Sequence, residues 1–380
     1  MKKILPYILM FCILLCGCNL DKQDKPLPTL APTEESVSDE PVTTQPSENP
    51  TEPSGYTQQP MFAVSLPMST DPVREDESTF TYQDIHLFCQ DQAVADRIII
   101  DYLNRQDSHR RKAESGSNTN YQILYRPMRI DSGVLSLYGE SVVHQGRNHP
   151  IIECQTLNYN MITGEVLTLG SILYDASAHE KLQDALLYAA ESSAETMQLY
   201  NDYPQIIADR FSRNSSFDED WFFTSTGLAF FFEPYEIAPY TSGIVILEIP
   251  YERLPGIIDD GFYPGEEDFY EGNLCADSVN DVNLDAFTQM AEVYINGYSE
   301  GVILYSNGLL RDIRIETVPE KDDTPGSAIF AANTLSPGDG IILMYDPLSS
   351  NPILKITYRV AQSVTTKELY FDSNGAFVLT

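Results

Sequence analysis

Between residues 80 and 254 the hydrophobic pattern changes period several times, and those changes constrain what this chain can fold into. Residues 81–89 alternate, with Tyr82, His86 and Phe88 mostly to one side and Ile85, Leu87 and Cys89 to the other, the two-residue period of a strand. Ala95, Ile98, Ile99 and Tyr102 then fall at i, i+3, i+4 and i+7, one apolar stripe of a helix that Asp91 is placed to cap. Strand-like runs follow at 121–130, 134–144 and 151–161, the last punctuated by Thr163-Gly164. Leu182, Ala185, Leu186 and Ala189 mark a second helix within 178–200, and Pro204 opens a short third one. Strands resume at 221–224, 228–232 and 244–249. The order is strand, helix, three strands, helices, three strands. It predicts an α+β fold over residues 80–260, with helices packed on a mainly antiparallel sheet.

Residues 261–290 read as an acidic, glycine-containing joint. Beyond it, 291–380 shows little helical period. Asn296-Gly297 and Asn307-Gly308 are hairpin turns, and Ser336-Pro337-Gly338 and Pro347 mark further reversals. Roughly seven short strands predict a small C-terminal all-β, sandwich-like domain.

The N-terminal part reads differently. Residues 19–79 are expected to be a linker, with eight prolines and a single aromatic, Tyr56, between 21 and 60. Such a stretch buries too little apolar surface to fold. Extended at about 3.1 Å per residue, its proline-rich part reaches roughly 120 Å at most. Ahead of it stand Lys2 and Lys3, an apolar run over 4–15, and Leu15-Cys16-Gly17-Cys18. The run is shorter than the about twenty residues of a membrane-spanning helix. It resembles a bacterial lipoprotein signal over 1–18, in which Cys18 becomes the lipidated first residue of the mature chain. A signal peptide cut elsewhere is the alternative. Lipidation places the fold on the extracellular face of the cell membrane, held there by acyl chains, and disfavours work on ATP or cytosolic DNA.

Charge points the same way. With 56 acidic and 23 basic residues the net charge is −33, which repels nucleic acid and attracts cationic proteins. Solubility alone also explains such acidity. Cys12 and Cys16 leave with the signal and Cys18 carries lipid, so Cys89, Cys154 and Cys275 remain. A Cys89–Cys154 bridge and two separate buried thiols are both open.

Catalytic motifs are sparse. The sequence has no phosphate-binding lysine loop or His-Glu-x-x-His. His144 and His149 flank a hairpin turn, but two imidazoles alone make a poor metal site. Asp218-Glu219-Asp220 and Glu266-Glu267-Asp268 offer paired carboxylates for glycan chemistry, or simply solvated charge. Asp281-Val282-Asn283-Leu284-Asp285, with Glu292, resembles a calcium loop, but Ala286 stands where its turn needs glycine. A helix opening capped by Asp281 or Asp285 is the plainer reading. No cofactor, metal or enzymatic activity is expected.

Two longer stretches have a familiar shape: 139–173, GESVVHQGRNHPIIECQTLNYNMITGEVLTLGSIL, and 218–254, DEDWFFTSTGLAFFFEPYEIAPYTSGIVILEIPYERL. Together they resemble the extracellular domain of the RsiV family of lysozyme-sensing anti-sigma factors. The resemblance covers 80–254, about half the chain. Its most specific part is Pro234-Tyr235-Glu236-Ile237-Ala238-Pro239-Tyr240, followed by Gly243 and Ile249-Pro250-Tyr251. Many members of that family read Gly-Gly-Ala-His where this chain has Gly146-Arg147-Asn148-His149, so the histidine matches and its neighbours do not. The family's cytoplasmic sigma-binding segment and membrane helix are replaced here by Cys18 and the linker. The resemblance implies the α+β fold and binding of a lysozyme-like, cationic extracellular protein. The candidate binding residues are Pro234, Tyr235, Glu236, Pro239, Tyr240 and His149. Glu233 and Ala238 precede prolines and are pushed to extended backbone. Tyr235 and Tyr240 are either interface anchors or inward-packed struts hydrogen-bonding their own domain. A wall-glycan enzyme and a structural wall-docking module are the alternative functions.

Overall fold

The structure is a computed structural model. It describes residues 58–73, 78–115, 120–144, 150–194, 196–212, 217, 219–265, 272–295, 299–318, 327–346, 353–361, 363–371 and 377–380. Cys18, the expected signal and most of the expected linker lie outside them, as do His149, Glu266-Glu267-Asp268 and Asn296-Gly297. Among the described residues no helix is long and apolar enough to cross a membrane.

The fold starts earlier than the linker reading placed it. β1 (Ala63–Ser65) and β2 (Met68–Pro72) precede β3 (Thr79–Gln83) and β4 (His86–Phe88). The expected single strand over 81–89 is thus two, β3 and β4, which belong to different sheets. The break comes at Asp84, whose N–H donates to the Pro67 carbonyl and whose carboxylate accepts from Ser69.

α1 (Gln92–Ser115) is capped as expected, Asp91 Oδ1 accepting the Ala93 N–H at 2.9 Å. Ala95, Ile98 and Tyr102 are buried, and the buried face continues through Gln106, His109 and Ala113. β5 (Asn120–Ile130), β6 (Val134–His144) and β7 (Ile151–Asn160) form an antiparallel meander within a residue or two of the expected limits. With β2 and β3 they make a five-stranded sheet, β2-β3-β5-β6-β7, in which β3 and β5 run parallel.

Next come the short α2 (Leu169–Ile172), then α3 (Ala178–Ser193) and α4 (Tyr203–Ser212). The fully buried positions of α3 are Ala178, Leu182, Leu186 and Ala190, so the stripe sits slightly off Ala185 and Ala189. β8 (Trp221–Phe223), β9 (Gly227–Phe232) and β10 (Val245–Pro250) form a three-stranded antiparallel sheet. Its strands are apolar on both faces because both are covered. Trp221, Phe223, Phe230 and Phe232 face Leu182, Leu186 and Ile207 of the helices, while Phe222, Ala229 and Phe231 pack on Tyr138 of the five-stranded sheet.

The remaining strands are β11 (Leu274–Ser278), β12 (Gln289–Tyr294), β13 (Glu300–Ser306), β14 (Leu310–Val318), β15 (Ala328–Leu335), β16 (Asp339–Tyr345), β17 (Ile353–Val360), β18 (Ser363–Phe371) and β19 (Phe377–Leu379). They form the expected sandwich, with three differences, the first being that Asn307-Gly308 joins β13 to β14 of the other sheet and so closes no hairpin. The residues read as joint supply β11, an edge strand of the four-stranded sheet β11-β13-β16-β12. The seven-stranded sheet, β19-β18-β17-β14-β15-β1-β4, is completed by two strands from the N-terminal side. β1 pairs on both edges, Ala63 opposite Ala332 and Phe88. Met61 and Ala63 enter the sandwich core, while Phe62, Val64 and Leu66 enter the core under α1. The described residues accordingly belong to one compact unit.

Candidate functional site: an aromatic-lipped groove

The twelve residues joining β9 to β10 carry the most specific motif of the sequence, and the structure shows how they are held. Ile237 and Ala238 are buried in the helix-side core, and the Ile237 carbonyl accepts the Tyr200 N–H at 2.9 Å. On either side of this anchor the chain turns on a proline. The Glu236 N–H donates to the Glu233 carbonyl at 3.1 Å, closing a β-turn with Pro234 second and Tyr235 third. Tyr235 has φ 71°, the left-handed backbone that this turn position usually gives to glycine. Past Pro239, a single 3-10 turn (Tyr240–Ser242) ends at Gly243, itself left-handed.

This geometry turns both tyrosines outward. Tyr235 is 67% and Tyr240 53% exposed, and their rings stack at 5.2 Å with 27° between planes. The inward-strut reading is therefore set aside. Beside them lies a groove of about 620 Å³, with Pro150 and Ile152 on one side and Glu233, Pro234, Tyr240 and Ile244 on the other. One wall is the start of β7, an edge strand whose Ile151 and Ile152 are both exposed. The other is the turn leading into β10, also an edge strand. Apolar walls with a carboxylate at the lip suit an amphipathic, positively charged ligand surface better than a small anion.

Below the turn sits an ion cluster that sequence reading did not assemble. Arg210 of α4 lies 2.9 Å from Glu236 Oε1 and also pairs with Asp220. Its guanidinium stacks over Phe217 at 4.5 Å and Phe232 at 5.3 Å. Glu236 closes the turn a second way, Oε2 accepting the Glu233 N–H at 3.0 Å. Burial pushes the Asp220 carboxyl up to about 6, against the opposing pull of Arg210 and with help from Glu236 and Glu233. Burial raises Glu236 in the same direction. Asp220 is thus part of the loop's support and not solvated charge. Arg210 had no signal in sequence, because nothing local marks an arginine twenty-six positions from its partner.

The expected site residues divide in space. Pro234 and Tyr240 line the groove, Tyr235 stacks on its lip, and Glu236 and Pro239 shape the turn. His149 lies outside the described residues, one position before Pro150. Ile152, Glu233 and Ile244 were missed. The exposed Ile151-Ile152 pair was the available signal, but alternation does not reveal which strand becomes an edge.

The other candidates resolve simply. Cys89, Cys154 and Cys275 are free thiols. Cys154 sits 3.2 Å from the Tyr138 hydroxyl, and burial pushes its thiol up to about 12, so it is not a poised nucleophile. In the calcium-like stretch, Asn283 and not Asp281 or Asp285 caps the 3-10 turn Leu284–Ala286, and the Glu292 carboxylate accepts from Tyr294. Among the described residues no group of three His, Cys, Asp or Glu side chains is placed to hold a metal ion.

Residues 176–252 match the family model "Protein of unknown function (DUF3298)", a span that takes in α3, α4, all three strands of the three-stranded sheet and the groove-forming loop. Two solved structures of that family are similar to this chain. A DUF3298 family protein from Pseudomonas aeruginosa PAO1 is 19% identical, with 53% of this chain and 97% of that one covered at a TM-score of 0.38. A member from Bacteroides fragilis NCTC 9343 is 15% identical, with 53% and 94% covered at 0.38. No curated protein matches.

Proposed function

We propose that this chain is a surface-displayed binding protein whose groove between β7 and the β9–β10 loop receives a cationic extracellular protein, a lysozyme-type muramidase being the leading partner. The observation that carries the reading is the pair of stacked, solvent-facing tyrosines beside an apolar groove. Rigid aromatics exposed in this way are the residues that anchor protein interfaces. The net charge of −33 supplies long-range attraction for a basic partner. The likeness of residues 80–254 to lysozyme-sensing ectodomains supports the same partner class. Lipidation at Cys18 and a proline-rich spacer would hold the groove away from the membrane, on its outer face.

The test is capture of lysozyme by the purified chain across a salt series. Binding that persists at an ionic strength of about 0.15 M, where the screening length is about 8 Å, supports a docked interface. Binding that disappears by that point reflects charge attraction alone and removes the proposal. Ile152→Asp and the double variant Tyr235→Ala/Tyr240→Ala alter exposed side chains. Each is expected to weaken capture by at least roughly tenfold, about 1.4 kcal/mol, with the fold retained.

A further inference from the structure

A second site stands well away from the aromatic loop, where β5 meets the seven-stranded sheet. There a cleft of about 130 Å³ is lined by Arg129, Arg311 and Arg359 against two carboxylates, Asp131 and Asp312. An excess of cations is unusual in a chain with 56 acidic and 23 basic residues.

Arg129 is the best defined. Its side chain is 3% exposed. Nε donates to Asp131 Oδ2 at 2.5 Å, and Nη1 donates to the Tyr251 hydroxyl and the Phe262 carbonyl, both at 2.6 Å. Its rings of contact are Phe223 and Tyr251, which lie under the guanidinium at 5.3 Å and 5.6 Å. Nη2 is buried and has no hydrogen-bond partner. A guanidinium fixed this firmly on three sides, with its last amino group unmet, is an incomplete site.

The lining from the seven-stranded sheet repeats the imbalance. On adjacent strands Arg311 pairs directly with Arg359 on one side and with Thr334 on the other. Like charges placed opposite each other across strands repel. Arg359 is offset by Asp312, 2.9 Å from both Nε and Nη2. Arg311 makes no ion pair among the described residues. The residues lining the cleft therefore include one cation without an ion pair and one with a buried donor that lacks an acceptor.

We infer that this cleft binds a compact oxyanion, a carboxylate or phosphate group, held between Arg129 and Arg311. Guanidinium groups offer parallel N–H donors at the spacing of two oxygens on such a group. The ligand would tie the α+β part of the molecule to the sandwich, since Arg129 comes from β5 and Arg311 from β14.

The test is calorimetric titration of the full chain with inorganic phosphate, and separately with acetate, at ionic strength held constant with chloride. Saturable binding of either anion with a dissociation constant of about 1 mM or tighter is expected, together with a melting temperature that climbs with anion concentration. Phosphate binding alone assigns phosphate as the ligand group, and acetate binding alone a carboxylate. Arg311→Gln should weaken binding roughly tenfold while leaving the anion-free melting temperature equal or higher, because it removes the cross-strand repulsion. No saturable binding of either anion overturns the inference, as does unchanged binding in Arg311→Gln. Glu266→Gln/Glu267→Gln/Asp268→Asn is the control for the chain's own acidic run, which begins one position after Gly265. Binding seen only in that variant would mean the run competes for the cleft, and also overturns the inference.

Discussion

Tyr235 shows how much one residue can reveal. A non-glycine side chain in left-handed backbone costs roughly 1–2 kcal/mol, and such strain is retained where the side chain has a use. Here the strained residue is also the more exposed of the stacked pair. Tyr235→Gly removes the strain but adds unfolded-state freedom and loses the stack. Its stability in urea is expected to stay within about 1 kcal/mol of the parent, while lysozyme capture falls. A loss of stability without loss of capture would make the tyrosine a strut after all. Asp220 gives a pH prediction. Its folded value of about 6 lies above the ordinary 3.8, so between those values the folded state holds more protons than the unfolded one. Stability is therefore fullest below about pH 4 for this group and declines as pH rises through about 6, by at most roughly 3 kcal/mol. Denaturation curves for Asp220→Asn should lack that part of the slope.

Pairing and layering, not local sequence, set the groove at the scale of elements. β9 and β10 hold the loop ends in register, with Phe232 opposite Val245 at the loop and Gly227 opposite Pro250 at the far end of the ladder. A Cβ at Gly227 would stand 2.2 Å from the Ile249 carbonyl oxygen, so backbone must move. Gly227→Ala is expected to lower stability by roughly 1–3 kcal/mol, measured by urea unfolding, by forcing β9 and β10 apart at the end of the ladder far from the loop. The meander β5–β7 was legible because its alternation is uninterrupted and its turns are marked. The stretch over 81–89 misled for a physical reason: alternation continues smoothly through Asp84 while the hydrogen-bonding partner changes, and side-chain period carries no record of partner.

For the molecule as a whole, the interleaving of β1 decides cooperativity. Because residues 61–66 send alternate side chains into two cores, neither the α+β part nor the sandwich has a complete core without them. Buried Gln83 adds a polar tie, its Nε2 donating to the Ala328 carbonyl at 3.1 Å and its Oε1 accepting the Tyr125 N–H at 2.6 Å. Calorimetry of the full chain is expected to show one unfolding transition for this unit, and a chain ending at residue 265 to lack a cooperative one. Two separated transitions would restore the two-domain division that the sequence suggests.

Local chemistry alone marked the α1 cap at Asp91, the meander, the aromatic strands 221–232 and the proline-bounded motif 233–240, because caps, turns and periods act over a few residues. The burial of Arg210 between Asp220 and Glu236, the shared strand β1, the outward stack of Tyr235 on Tyr240 and the meeting of Arg129 and Arg311 in one cleft arose only in three dimensions. Each depends on which distant segments become neighbours, and that is decided by the joint packing of several sheets around common cores.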